Sequence, residues 1–311
     1  MRRLAFVFAV LAGCGGDDGD GGGDGDGGTG TQDGGGTDGV PVVIDAPPGG
    51  SPGTLRFYNR ASQSPGGDRV EIRIDPQVPA DVGAGSFTID FWYRLGVGVQ
   101  LPAETMCQTG RDGWKSGHIV LDRDRSADGP HGEFGLSLFR NRIAFGISQG
   151  TAGVGICGAP GSGTIGTGWH HVAVTRDVGT RQVTLYLDGV NIGSAMGPAG
   201  DVSYQDGSTG AAKDPFLVIG AEKHDTAGAN GLDGFVDELR ISTVVRYTAD
   251  FTPATMPHVM DADTAALYHF DDGGGMALSD TRGMSPGEVK FGTDENGAPV
   301  PIWSVSEPWP N

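Results

Sequence analysis

The residues able to do chemistry in this 311-residue chain are few and scattered. Hydrolysis of a sugar linkage with retention needs two carboxyl groups held about 5 Å apart. Asp237 and Glu238 are adjacent, as are Asp271 and Asp272, so on a strand each pair points to opposite faces and cannot cooperate. No Gly-x-Ser-x-Gly elbow presents a serine nucleophile. His170 and His171 are neighbours too, and they read as strand histidines rather than as a zinc pair. The sequence therefore reads as non-catalytic, and ligand recognition is the chemistry that remains. Trp114 sits in a polar, Gly-rich loop, Arg111 to His118, between Asp112 and Lys115. An aromatic in such a loop either offers a sugar-stacking platform, with Asp112 and Lys115 hydrogen-bonding beside it, or folds back over the core. Glu222 to Asp233, with His224, Asp225 and Asn230, is a second polar rim.

The elements that must position these residues are strands. Trp169 opens an extended run with Val172 and Val174 on one face. After a polar turn at Arg176 to Arg181, Val183, Leu185 and Leu187 alternate with Thr184 and Tyr186, and Asp188-Gly189 turns the chain into Val190 to Gly193. Period-two alternation broken by an Asp-Gly pair is the strongest local signature of a β-meander. Leu55 to Tyr58, Arg69 to Ile74, Phe87 to Arg94, Thr105 to Thr109, His118 to Arg123, Glu133 to Phe139, Arg142 to Ser148 and Phe216 to Gly220 are further strands. Phe87, Ile89 and Phe91 oppose Trp92, so that strand should be covered on both faces. Gly234 to Ser242 alternates, with Phe235, Asp237, Leu239 and Ile241 on the apolar side. Ala265 to Phe270 and Ile302-Trp303 read as edge strands. Many short strands without helical periodicity mean an all-β sandwich.

The runs Gly168 to Gly193 and Gly234 to Ile241, with Phe87 to Trp92 and Tyr247 to Phe251, resemble the laminin-G-like family of concanavalin A-like sandwiches. The resemblance covers about Thr54 to Phe251 and departs at Ser62 to Gly67, where the family has a short Asp-Gly turn. It implies a jelly-roll β-sandwich of two antiparallel sheets. It also implies a structural calcium, with Asp237 as the best single ligand and Asp233 and Asn230 as weaker donors. Without an ion, a carboxylate on the apolar register at Asp237 must accept backbone N–H bonds at a bend. The Glu-x-Asp-x-x-Glu pattern of glycosidases on related sandwiches is absent.

Met1 to Cys14 has a basic start, Arg2-Arg3, and an apolar core too short to span a bilayer. Leu11-Ala12-Gly13-Cys14 resembles the bacterial lipobox, which implies acylation of Cys14 and anchoring in the cell envelope. Gly15 after that cysteine leans towards the outer membrane or cell surface. Residues 15–53 are rich in Gly, Asp and Pro and read as a disordered tether, leaving residues 54–311 as one sandwich domain. The net charge of −18 becomes −20 when Arg2 and Arg3 leave with the signal. So acidic a chain disfavours nucleic acid and anionic lipid as partners. Once Cys14 is set aside, Cys107 and Cys157 remain, and an exported protein should join them; two buried thiols are the alternative. The expectation is an envelope-anchored binding module for glycans or glycosylated partners. The alternatives are a structural or adhesive protein making protein contacts, and a glycoside hydrolase of unfamiliar catalytic pattern.

Overall fold

The computed structural model describes residues 53–59, 67–125, 132–158, 168–204, 215–224, 229–293, 296, 298–300 and 302–304. The lipobox with Cys14, nearly all of the Gly/Asp tether, and Asp225 lie outside the described residues. The first strands are β1 (Thr54–Tyr58), β2 (Arg69–Arg73), β3 (Phe87–Leu95), β4 (His118–Arg123), β5 (Gly132–Phe139) and β6 (Arg142–Gln149). Then follow β7 (Ala152–Gly158), β8 (Trp169–Arg176), β9 (Gln182–Leu187), β10 (Val190–Met196), β11 (Phe216–Ile219) and β12 (Asn230–Gly231). The last are β13 (Asp233–Ser242), β14 (Thr264–Tyr268), β15 (Ala277–Leu278), β16 (Gly287–Lys290) and β17 (Trp303–Ser304).

They build two sheets. An eight-stranded sheet runs β10-β9-β8-β3-β13-β1-β17, with β14 also on β13. A nine-stranded sheet runs β15-β16-β2-β11-β4-β5-β6-β7, with β12 beside β4. Every pairing is antiparallel except that of β12 with β4. This is the two-sheet sandwich the alternation predicts. The inner faces meet in one core, where Phe87, Ile89, Phe91 and Tyr93 of β3 face Phe134, Leu136, Phe145 and Ile147 of β5 and β6. Each such side chain taken fully out of water contributes about 1.5–3 kcal/mol.

The meander forms as expected: β8 pairs β9 and β9 pairs β10. Asp188 (φ 50°) and Gly189 (φ 80°) make the two left-handed residues that a tight hairpin requires. The strand β3 lies between β8 and β13. Its outer face is covered by a strap, residues 243–263, in which the Arg246 N–H donates to Thr88 Oγ1 and Tyr247 Oη donates to Asp90.

Four expectations need correction. Thr105 to Thr109 is not a strand; the local bonds Met106 N–H to Ala103 O and Cys107 N–H to Glu104 O wind it into a single 3-10 turn. The strands β7, β15 and β16 are not apparent in the sequence, because glycines dilute the apolar alternation of β7 and the other two are only two and four residues long. The strand β13 does not alternate throughout. Glu238 takes φ 51° and the register with β3 slips between Asp237 and Arg240, a bulge that sends Val236, Leu239 and Ile241 inward and leaves Phe235 out of the main core. Asp237 therefore does not sit on the apolar register.

Two buried arginines organise one end of the sandwich. Arg123, wholly buried, donates to Asp81 Oδ1 (2.8 Å) and to the carbonyls of Val82 and Val202, and lies 4.0 Å over the Phe134 ring. Arg176 donates to the carbonyls of Gly83, Gly85, Pro198 and Gly200. Burial pulls the Arg123 guanidinium below its ordinary value and the Asp81 charge opposes this.

Candidate functional site

The outer face of the nine-stranded sheet carries a cavity of about 340 Å3, within the range of small-ligand sites. Its floor is β4, and its walls are the Trp114 loop and the residues Glu222, His224 and Ala229. Three residues singled out in the sequence, Trp114, Lys115 and His224, are brought together here.

Trp114 is not a platform. It is 2% exposed and packs with Ile119, Phe139 and Ala144 in a satellite cluster outside the main core. The indole lies across Gly135 and Gly146: a Cβ at either would stand 2.1–2.2 Å from ring carbons. With that face filled by backbone, the ring contributes a wall to the cavity and no stacking surface. The Trp114 carbonyl accepts from Ser137 Oγ at 2.5 Å, which holds the loop down.

Charged groups line the rest. Asp124 is the hub: its Oδ2 is 2.7 Å from Lys115 Nζ and its Oδ1 is 2.6 Å from His224 Nε2. Lys115 also reaches Asp112 Oδ1 at 2.9 Å, so Asp112, 48% exposed, orients the lysine from the rim. The Lys223 ammonium donates to the Asp124 carbonyl at 2.9 Å. Burial works against the charged form of each, but the hydrogen bonds and charges of the pairs outweigh it. Asp124 is held well below the usual carboxylate range, and Lys115 and His224 are raised.

Asp122 and Asp124 line the cavity and are the candidate site residues that the sequence reading missed. They sit two apart at the end of the interior strand β4, the spacing that places carboxylates on a common face, and Asp122-Arg123-Asp124 is the signal that was there to find. Their environments drive them apart: burial and the Asp124 charge push Asp122 up, against N–H bonds from Asp124 and Lys223. Two carboxylates pushed in opposite directions are what an acid–base couple needs. Here, however, Asp122 Oδ1 and Oδ2 accept the Asp124 and Lys223 N–H groups at 2.8 and 3.0 Å. Both Asp124 oxygens are taken by Lys115 and His224. The arrangement suits fixed hydrogen bonding to a polyol better than proton transfer.

Asp237 and Asp233, two of the residues expected to hold calcium, do not share a shell. Asn230 belongs to β12 in the nine-stranded sheet, whereas Asp233 and Asp237 belong to β13. Four positions along a strand separate the two aspartates by roughly 13 Å, too far for both to grip one ion. Asp233 is engaged by Arg56 at 2.5 Å. Asp237 Oδ1 accepts the N–H of Glu238 at 2.9 Å, the bend-capping role foreseen as its alternative. His170 pairs with Asp188 at 2.8 Å, while His171 is buried under the strap beside Trp92 and Phe251.

Cys107 and Cys157 are joined, with an S–S distance of 2.09 Å, as the cysteine count predicts. The bridge ties the segment leading to the Trp114 loop to β7.

The sandwich, its meander and the closing strand β13 coincide with a family model described as the concanavalin A-like lectin/glucanases superfamily (Laminin_G_3), which matches residues 66–250. The chain belongs to that superfamily. Solved structures of similar fold include a candidate carbohydrate-binding protein of Bacteroides ovatus, 14% identical with a TM-score of 0.48. That match covers 81% of this chain and 62% of the other, so the chain spans less than two thirds of that protein. Domains LG4-5 of the mouse laminin alpha1 chain are 12% identical with a TM-score of 0.40, over 67% of this chain and 48% of theirs. The CBM40 of a Ruminococcus gnavus IT-sialidase is 13% identical with a TM-score of 0.39, over 63% of this chain and 89% of its own. These likenesses transfer no site, ligand or activity. No curated protein matches the sequence.

Proposed function

We propose that this protein is a non-catalytic glycan-binding module, displayed from the bacterial cell envelope by a lipid on Cys14. The observation that carries the binding role is the cavity in which Lys115, Asp124 and His224 are locked into one charged network beside an indole wall. Preorganised donors and acceptors recognise sugar hydroxyls without the entropy cost of ordering them on binding. Asp122 and Asp124, already bound to backbone, lysine and imidazole, argue for recognition over hydrolysis. The lipobox supports the anchor, and the run of Gly and Asp after it supports a spacer.

The test is a glycan array probed with the full chain, followed by titration of the best hit against Lys115→Ala. Loss of a charged hydrogen bond should weaken binding about 10- to 100-fold. An array without a hit, or a hit indifferent to Lys115→Ala, would remove the cavity from consideration. Cys14→Ser should abolish incorporation of labelled palmitate; retained label would refute the anchor.

A second reading rests on the eight-stranded sheet. There Arg56 lies over the Tyr58 and Phe235 rings at 4.4 and 5.0 Å, and Arg94 over Phe235 and Trp169 at 4.4 and 5.7 Å. Arg, Tyr and Trp are the residues that dominate protein–protein hot spots, and Tyr58 is 43% exposed. Crosslinking on intact cells that captures one protein partner, lost in Tyr58→Ala, would favour this adhesive role.

A further inference from the structure

Under the strap, three side chains from three different elements converge: Asp90 of β3, His171 of β8 and His258 of the strap. All three are buried, and one ligand atom of each lies within 4.8 Å of the other two. His258 Nε2 is 3.3 Å and His171 Nε2 is 3.6 Å from Asp90 Oδ2. Neither nitrogen makes a hydrogen bond among the described residues, although His171 and His258 side chains are only 1% and 5% exposed. A buried imidazole nitrogen that stands near a carboxylate without completing a hydrogen bond is under-satisfied, which is costly. The spacing has a direct physical meaning. Metal–ligand bonds of about 2.0–2.2 Å at tetrahedral angles put neighbouring ligand atoms roughly 3.3–3.6 Å apart.

We propose that Asp90, His171 and His258 form a structural site for a zinc-class divalent ion, which clamps the strap to the eight-stranded sheet. Two imidazoles and one carboxylate select zinc or a similar transition ion over calcium, which takes oxygen ligands. The carboxylate is already oriented: Arg240 donates to both its oxygens at 3.1 and 2.8 Å, and Tyr247 Oη donates at 2.9 Å. Ligating carboxylates are commonly held by such outer hydrogen bonds. The Arg240 charge opposes a cation and lowers the affinity. Glu238 fixes the strap ligand from the other side: its Oε2 accepts the backbone N–H of His258 at 2.7 Å while its Oε1 pairs with His269 Nδ1 at 2.7 Å. His258 is the strap's contribution, so loading the site couples residues 243–263 to the sheet.

The experiment uses the full chain, purified without a histidine tag and stripped with EDTA. Metal analysis after dialysis against zinc should return one ion per chain. Zinc at one hundred times its Kd should raise Tm by roughly 5–10 °C, and calcium should not. Cobalt in place of zinc should give visible absorption bands. In His258→Ala the zinc-dependent rise and the cobalt bands should disappear. If that variant fails to fold, His171→Gln carries the same readouts. A wild-type chain that keeps no stoichiometric zinc and melts at one temperature in zinc and EDTA would overturn the site, leaving a purely ionic Asp90–histidine cluster. So would a zinc response that survives both substitutions.

Discussion

His224 and Asp124 show how a single contact sets a charge. The imidazole is raised because the Asp124 hydrogen bond and charge outweigh the cost of burial. A raised histidine stabilises the fold fully below its unfolded value, near 6.5, and loses that contribution as pH rises through the folded value. Asp124 behaves oppositely: its contribution is present above about 3.9 and is lost as pH falls through its lowered value. The pair is therefore strongest between those limits. Asp124→Asn should drop the His224 pKa, followed by NMR titration of the ring protons; an unchanged value would mean that the pair does not form in solution. None of this is legible in the sequence, where His224 stands only as a polar rim residue and Asp124 draws no notice. The chain separates them by a hundred positions, and only the sheet brings them together. Trp114 teaches the same lesson: its loop is legible, but its orientation is set by the missing side chains at Gly135 and Gly146 on β5 and β6.

Among elements, the meander is the most legible because every signal in it is local. Alternation names the inner face, and Asp188-Gly189 names the turn. Gly189 has a second duty that no local pattern reveals. A Cβ there would meet the Phe251 carbonyl at 1.8 Å, and the Phe251 N–H donates to the Gly189 carbonyl at 2.8 Å. Gly189→Ala should therefore cost more than the roughly 1–2 kcal/mol of a left-handed alanine, read from denaturant midpoints, and loosen the strap that docks there. A loss below 1 kcal/mol would show that the strap adjusts freely. The strand β13 is evident in the sequence, but its centre is misread there. A bulge is a departure from period two, and Glu238 is a residue type that gives no hint of φ 51°. The misreading of Asp237 as inward-facing follows from that one residue.

At the scale of the molecule, the spacing of strands suffices for the sandwich, and the cysteine count favours the Cys107–Cys157 bond that the structure shows. They do not suffice for the nine-stranded sheet's full extent, because β7, β15 and β16 are short or glycine-rich. The disulfide spans 50 residues and encloses the Trp114 loop and the strands β4 to β6 beneath the cavity. The chain-entropy relation assigns such a loop about 4 kcal/mol. Replacing both cysteines by serine should lower stability by about 2–5 kcal/mol, measured by urea unfolding, and a change under 1 kcal/mol would mean that the loop is already constrained without the bond.

Arg123 and Arg176 have a consequence for how this protein can vary over time. Arg123 and Arg176 hold their end of the sandwich through the carbonyl oxygens of residues 82–85 and 198–202. Every amino acid brings the same carbonyl, so the arginines sense the path of these loops and are blind to most of their spelling. Drift there is cheap so long as the path is kept. The exceptions are Gly83, at φ 138° with backbone 2.5 Å from where a Cβ would stand, and Gly200, at φ 82°; at these two positions the path itself dictates the residue.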